Sequence, residues 1–204
     1  MLALKAAACL AVVAGIALSR ISKANHPYAA FGPANYVTLV RALLVAVITG
    51  TIGEPPTFGL AAAVAAVALA VSVMDGLDGL LARRSGMASA FGARFDMEVD
   101  ALLIMSLSVL AWTHGKAGAW VLASGALRYL FVVAGWIWPW MERPLEPSRR
   151  RQTVCVIQIV ALIAVVSPLL TPPESTALAA AALLVLAGSF AVDTWWLYGA
   201  KQVA

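Results

Sequence analysis

Apolar residues fall in seven long runs separated by short polar gaps. The runs cover residues 2–19, 35–52, 57–83, 95–113, 117–139, 153–170 and 176–198. Most hold about 18 residues or more, enough for a helix to cross a hydrocarbon layer about 30 Å thick. Uninterrupted runs of this length point to membrane spans rather than to an oversized soluble core. Breakers mark the gaps: Gly32-Pro33, Glu54-Pro55-Pro56, His114-Gly115, the stretch Pro144 to Pro147, and Pro172-Pro173. There is no internal repeat and no low-complexity tail. The pattern predicts an all-α polytopic membrane protein: a six-transmembrane-helix core preceded by one extra hydrophobic helix. The expected division is residues 1–32 for that helix and its linker, and 33–204 for the membrane domain.

Composition agrees with the runs. Of 204 residues, 62% are apolar and 12% are charged; a soluble domain carries about twice that charged share. Cys9 and Cys155 both lie inside apolar runs, so they read as small buried hydrophobes rather than as a disulfide or metal framework.

The charges add direction. Arg20 and Lys23 follow the first run, Arg83, Arg84 and Arg94 follow the third, and Arg143, Arg149, Arg150 and Arg151 follow the fifth. Lys201 lies in the tail, while the alternate gaps hold only Lys116, with Lys5 at the N-terminus. Every second gap is basic, which places those gaps and the C-terminus in the cytoplasm of a bacterial-type cell. The run at 149–151 thus reads as a topology signal rather than a nucleic-acid patch, and it can also attract headgroup or substrate phosphate. The first run resembles a signal peptide, but no small-residue cleavage site follows it closely, and Arg20 and Lys23 disfavour translocation. An uncleaved span or an interfacial helix is the expectation. Arg41 and Arg128 lie within spans, where a charge marks a functional site or an internal ion pair. Asp193 in the last run is a candidate partner for them.

Residues 75–100 read DGLDGLLARRSGMASAFGARFDMEVD. Asp75 and Asp78 are three apart, and Asp96 and Asp100 four apart, so on helices each pair shares a face. A short Gly-containing loop lets the pairs confront each other within roughly one or two turns of the cytoplasmic surface. Four converging carboxylates need cations. Oxygen ligands without His or Cys suit hard ions such as Mg²⁺, Mn²⁺ or Ca²⁺. Two such ions can clamp a pyrophosphate, and one carboxylate can deprotonate an incoming hydroxyl. Gly76, Gly79 and Ala82 leave room for a nucleotide or phosphate, and Arg83 offers it a cation. An ion-transport reading would spread acids through the membrane, whereas these cluster at one face.

The pattern Asp75-x2-Asp78-Gly79-x2-Ala82-Arg83-x8-Gly92-x3-Asp96-x3-Asp100 resembles, position for position, the signature of the CDP-alcohol phosphotransferase family. Asn35-x2-Thr38-x2-Arg41 looks like the opening of that family's first core helix. The resemblance implies a homodimeric six-helix membrane fold over roughly residues 33–200. It implies a site with two Mg²⁺ or Mn²⁺ ions held by Asp75, Asp78 and Asp96, with Asp100 as a further ligand and the base. It also implies a CDP contact through Asp75, Gly79, Ala82, Arg83, Gly92 and Thr38. The donor would be CDP-diacylglycerol or a similar CDP-alcohol in the bilayer, and the acceptor a small polar or phosphorylated alcohol. Arg41, Arg128, Arg149, Arg150 and Arg151 are the candidate acceptor contacts. In place of the Asp-Pro-x-Ala-Asp-Lys of many phosphatidylglycerophosphate synthases, this chain has Asp96-Met97-Glu98-Val99-Asp100-Ala101. The acceptor therefore stays open.

Overall fold

The structure, a computed structural model, describes residues 4–7, 15, 27–28, 31–85, 87–143, 145 and 148–202. Side chains at positions 78, 80, 82, 83, 142 and 200–202 are outside that description. From residue 31 on, the described residues form six α-helices in order: α1 Pro33–Gly50, α2 Phe58–Ser85, α3 Ala90–Thr113, α4 Ala123–Ile137, α5 Arg149–Val166 and α6 Glu174–Gln202. Short 3-10 helices, Ala119–Leu122 and Pro139–Glu142, flank α4. Residues 4–7 and 15 are also helical, and no strand occurs among the described residues.

Local chemistry sets the helix ends. Gly32 takes φ 86°, a conformation open to glycine, and Pro33 then starts α1 with its φ already suited to a helix. Thr57 Oγ1 accepts the Leu60 N–H at 3.2 Å, and Ser89 Oγ accepts the Gly92 N–H at 3.1 Å, capping the starts of α2 and α3. Gly53 at φ 86° turns the chain out of α1.

Several helix ends extend beyond the apolar runs. The third and fourth runs, 57–83 and 95–113, become helices that reach Ser85 and begin at Ala90. Likewise α5 starts at Arg149, ahead of the run at 153. A helix carries its own backbone hydrogen bonds, so it continues through polar residues once outside hydrocarbon.

Among the described residues, four segments are long and apolar enough to cross a membrane: Pro33–Gly50, Phe58–Leu77, Ala119–Ile137 and Glu174–Gly199. The helices left out, α3 and α5, carry charges in their N-terminal halves, with Arg94, Asp96, Glu98 and Asp100 in one and Arg149 to Arg151 in the other.

The chain forms two compact units, residues 1–107 and 108–204. In the first, α1 packs on α2. The buried faces carry Ala42, Val45 and Ala46 on α1 and Ala61, Val64, Ala68 and Val71 on α2, small side chains that let helix backbones come close. Arg41 ties α1 to α3, and Thr49 and Ser106 add a hydroxyl pair at 2.7 Å. In the second unit, α5 packs on α6, and α4 meets α6 through Phe131 and Phe190. Lys116 clasps one end of this unit. Its Nζ donates to the carbonyls of Ser167 and Leu170, while its own carbonyl accepts from Ser175 Oγ and Thr176 Oγ1.

Candidate functional site

Spacing by three puts Asn35, Thr38 and Arg41 on one face of α1, and that face is buried. Asn35 Nδ2 donates to the Phe31 carbonyl, and Thr38 Oγ1 donates to the Ala34 carbonyl at 3.1 Å. The amide held in this way leaves Oδ1 against α3. A Cβ added at Gly92 would sit 2.7 Å from Asn35 Oδ1. Glycine is therefore required at 92 for this approach.

One turn along α1, the Arg41 side chain is fully buried among acids. Its Nη1 lies 2.5 Å from Asp96 Oδ1, and its Nη2 lies 2.8 Å from Asp75 Oδ1 and 2.6 Å from Asp100 Oδ1. A planar guanidinium with several fixed N–H donors suits such a fork, which a lysine ammonium does not. The three carboxylates each offer an oxygen within 4.8 Å of the others. Their side chains stay partly open, at 35% for Asp75 and Asp96 and 19% for Asp100. The cluster thus has a sealed side, filled by Arg41, and an accessible one.

The cluster lies well inside both helices. Asp75 precedes the α2 end at Ser85 by about 15 Å, and Asp100 follows the α3 start at Ala90 by a similar length. Both helices extend beyond their apolar runs, which accounts for these distances to the helix ends.

The donor set fits a divalent metal. Three carboxylate oxygens this close can share one hard ion at its usual distance of roughly 2.0–2.6 Å with small side-chain adjustments. The side chains of Asp78, Ala82 and Arg83 lie outside the described residues, and Gly79 is half-buried in α2.

The acceptor arginines fall into different places. Arg41 belongs to the aspartate cluster. In the second unit, Arg149 is exposed and Arg128 is half-buried in α4. Arg150 donates from Nη1 to Ser189 Oγ and carbonyl at 2.6 and 2.8 Å, and from Nη2 to Asp193 Oδ1 at 2.5 Å. Arg151 reaches the same oxygen at 3.3 Å. Asp193, the candidate partner for Arg41 and Arg128, meets Arg150 and Arg151, because α5 starts beside that part of α6. Sequence reasoning missed Ser189 and the packing role of Asn35. The signal for Arg41 was present, since a charge inside a span calls for an internal partner.

A family model described as CDP-alcohol phosphatidyltransferase matches residues 31–195, a range that includes both charge clusters. No curated protein and no solved structure matches the chain.

Proposed function

The chain belongs to the CDP-alcohol phosphatidyltransferase family, and from that membership we propose that it moves a phosphatidyl or similar phosphoalcohol group from CDP-diacylglycerol, or a related CDP-alcohol, to an acceptor hydroxyl. The observation that carries this reading is the gathering of Asp75, Asp96 and Asp100 from two helices around one point with an accessible side. Asp75, Asp78 and Asp96, with Asp100 as a further ligand, would hold the divalent ions, two of Mg²⁺ or Mn²⁺. When bound, these neutralise the pyrophosphate and favour displacement at phosphorus. Asp100, the least exposed of the three described acids, takes the proton of the acceptor hydroxyl. The acceptor oxygen bonds to the donor phosphorus, the bond from that phosphorus to the CMP oxygen breaks, and CMP leaves with the electron pair.

Gly79, Ala82, Arg83, Gly92 and Thr38 serve the CDP part. A phosphorylated acceptor would meet Arg128 and Arg149 to Arg151. Asp193 and Ser189 hold the Arg150 guanidinium in place, so its ordering is complete before an anion arrives. All six helices span the membrane in this reading, with the charged N-terminal halves of α3 and α5 towards the cytoplasmic surface. There the water-soluble acceptor meets a donor whose acyl chains stay in the bilayer. The active form is a homodimer.

The test uses purified protein with CDP-diacylglycerol and Mg²⁺ or Mn²⁺, offered glycerol 3-phosphate, inositol phosphate, inositol or serine separately. CMP release with one acceptor is the expected result, and Asp100→Asn should abolish it while CDP still binds in the presence of metal. The reading is overturned if no pair of donor and acceptor releases CMP.

A further inference from the structure

We propose that Arg41 is a built-in competitor of the divalent ions, holding the aspartate cluster together when metal is absent and weakening metal binding when it is present. This rests on the reading of Asp75, Asp96 and Asp100 as metal ligands. One guanidinium meets an oxygen of each of those three acids at 2.5–2.8 Å, so it already uses atoms that an ion among them would need. Three carboxylates with oxygens within 4.8 Å repel one another strongly unless a cation sits among them. Arg41 supplies that cation from a third helix, and its full burial prevents solvent from screening it.

The same burial sets the sign of its effect on metal. A fixed positive charge sharing carboxylates with a divalent ion repels that ion across a few ångströms of partly desolvated protein. A counter-ion with a purely structural role would leave metal affinity unchanged or, through loss of order, lower it on removal. Arg41 as a competitor predicts the opposite: removal tightens metal binding. The competition keeps the site assembled between turnovers without binding its ions so tightly that they cannot adjust to a pyrophosphate.

The experiment titrates Mn²⁺ alone into the full chain in detergent micelles, reading unbound Mn²⁺ by electron paramagnetic resonance. Thermal unfolding is then followed with chelator and with saturating Mn²⁺. Arg41→Gln should bind Mn²⁺ at least about tenfold more tightly than wild type, since the lost repulsion exceeds 1.4 kcal/mol, the equivalent of that factor. It should also unfold at a lower temperature in chelator, with the gap narrowing in Mn²⁺. Arg41→Lys retains a charge but not the three-way fork, and it should fall between the two. If Arg41→Gln does not fold, Arg41→Lys carries the test: Mn²⁺ binding as weak as wild type or weaker overturns the inference, as does the same result in a folded Arg41→Gln. Asp96→Asn separates the two readings. Mn²⁺ binding that is lost in Asp96→Asn but unchanged in Arg41→Gln leaves the metal site standing and rejects the competitor. No Mn²⁺ binding by wild type rejects both.

Discussion

Position 92 shows how a single atom can decide a helix contact. The Asn35 amide is anchored to the Phe31 carbonyl, so it cannot swing away from a methyl group placed 2.7 Å from its oxygen. Gly92→Ala should therefore lower stability by about 1–3 kcal/mol, the usual penalty for overpacking, despite the better helix propensity of alanine. Thermal unfolding in micelles measures it, and adding Asn35→Ala should recover part of the loss. A loss unaffected by the second change would reject the contact. The glycine and the four aspartates were legible in the sequence, because helical spacing alone puts Asp96 and Asp100 on one face. Arg41 was legible only as a charge in need of a partner. Its acids lie on two other helices, and no local pattern says which of several acids a long side chain will reach.

Among the elements, α3 and α5 break the apolar pattern, and each carries one of the two charge clusters. An element that holds a charged centre has fewer apolar residues left with which to cross hydrocarbon. Its span then depends on packing against neighbours. The clasp at Lys116 belongs to this scale. The carbonyls of Ser167 and Leu170, at and beyond the end of α5, have no further helix turn to bond, and the ammonium takes that place. Lys116→Met keeps much of the side-chain bulk but strands those carbonyls. It should cost about 1–3 kcal/mol, seen as a lower melting temperature in micelles. An unchanged melting temperature would show that water serves them equally well. In the sequence, Lys116 was only the exception to the charge pattern between spans. Its use became apparent once the α5 and α6 ends were in place.

At the scale of the whole molecule, the question is which way the chain crosses the membrane. Lys5 Nζ donates to the Ile52 carbonyl at 2.6 Å, beyond the end of α1. The Tyr28 hydroxyl donates to the Ala88 carbonyl at 3.2 Å, and Met87 lies beside Gly32 where α1 begins. Lys5 thus meets the C-terminal end of α1, while Tyr28 lies near its N-terminal end. With the basic gaps inside, single cysteines at Leu4, Glu54 and Thr171, in a chain lacking Cys9 and Cys155, should react with an impermeant thiol reagent from outside. Cysteines at Ser85 and Leu145 should react only after permeabilisation. Outside labelling at Ser85 would invert the orientation. The sequence by itself determined that the chain is helical, that its helices are apolar enough for a bilayer, and which four acids share helix faces as candidates for its chemistry. Hydrophobicity, helix period and charge bias are summed along the chain and need no partner to be read. Tertiary structure decided that Asp75, Asp96 and Asp100 meet, that Arg41 joins these three, and that Asp193 holds Arg150 and Arg151. Each of these depends on which helix faces meet, and a buried charge takes its partner from whichever face packing brings within reach.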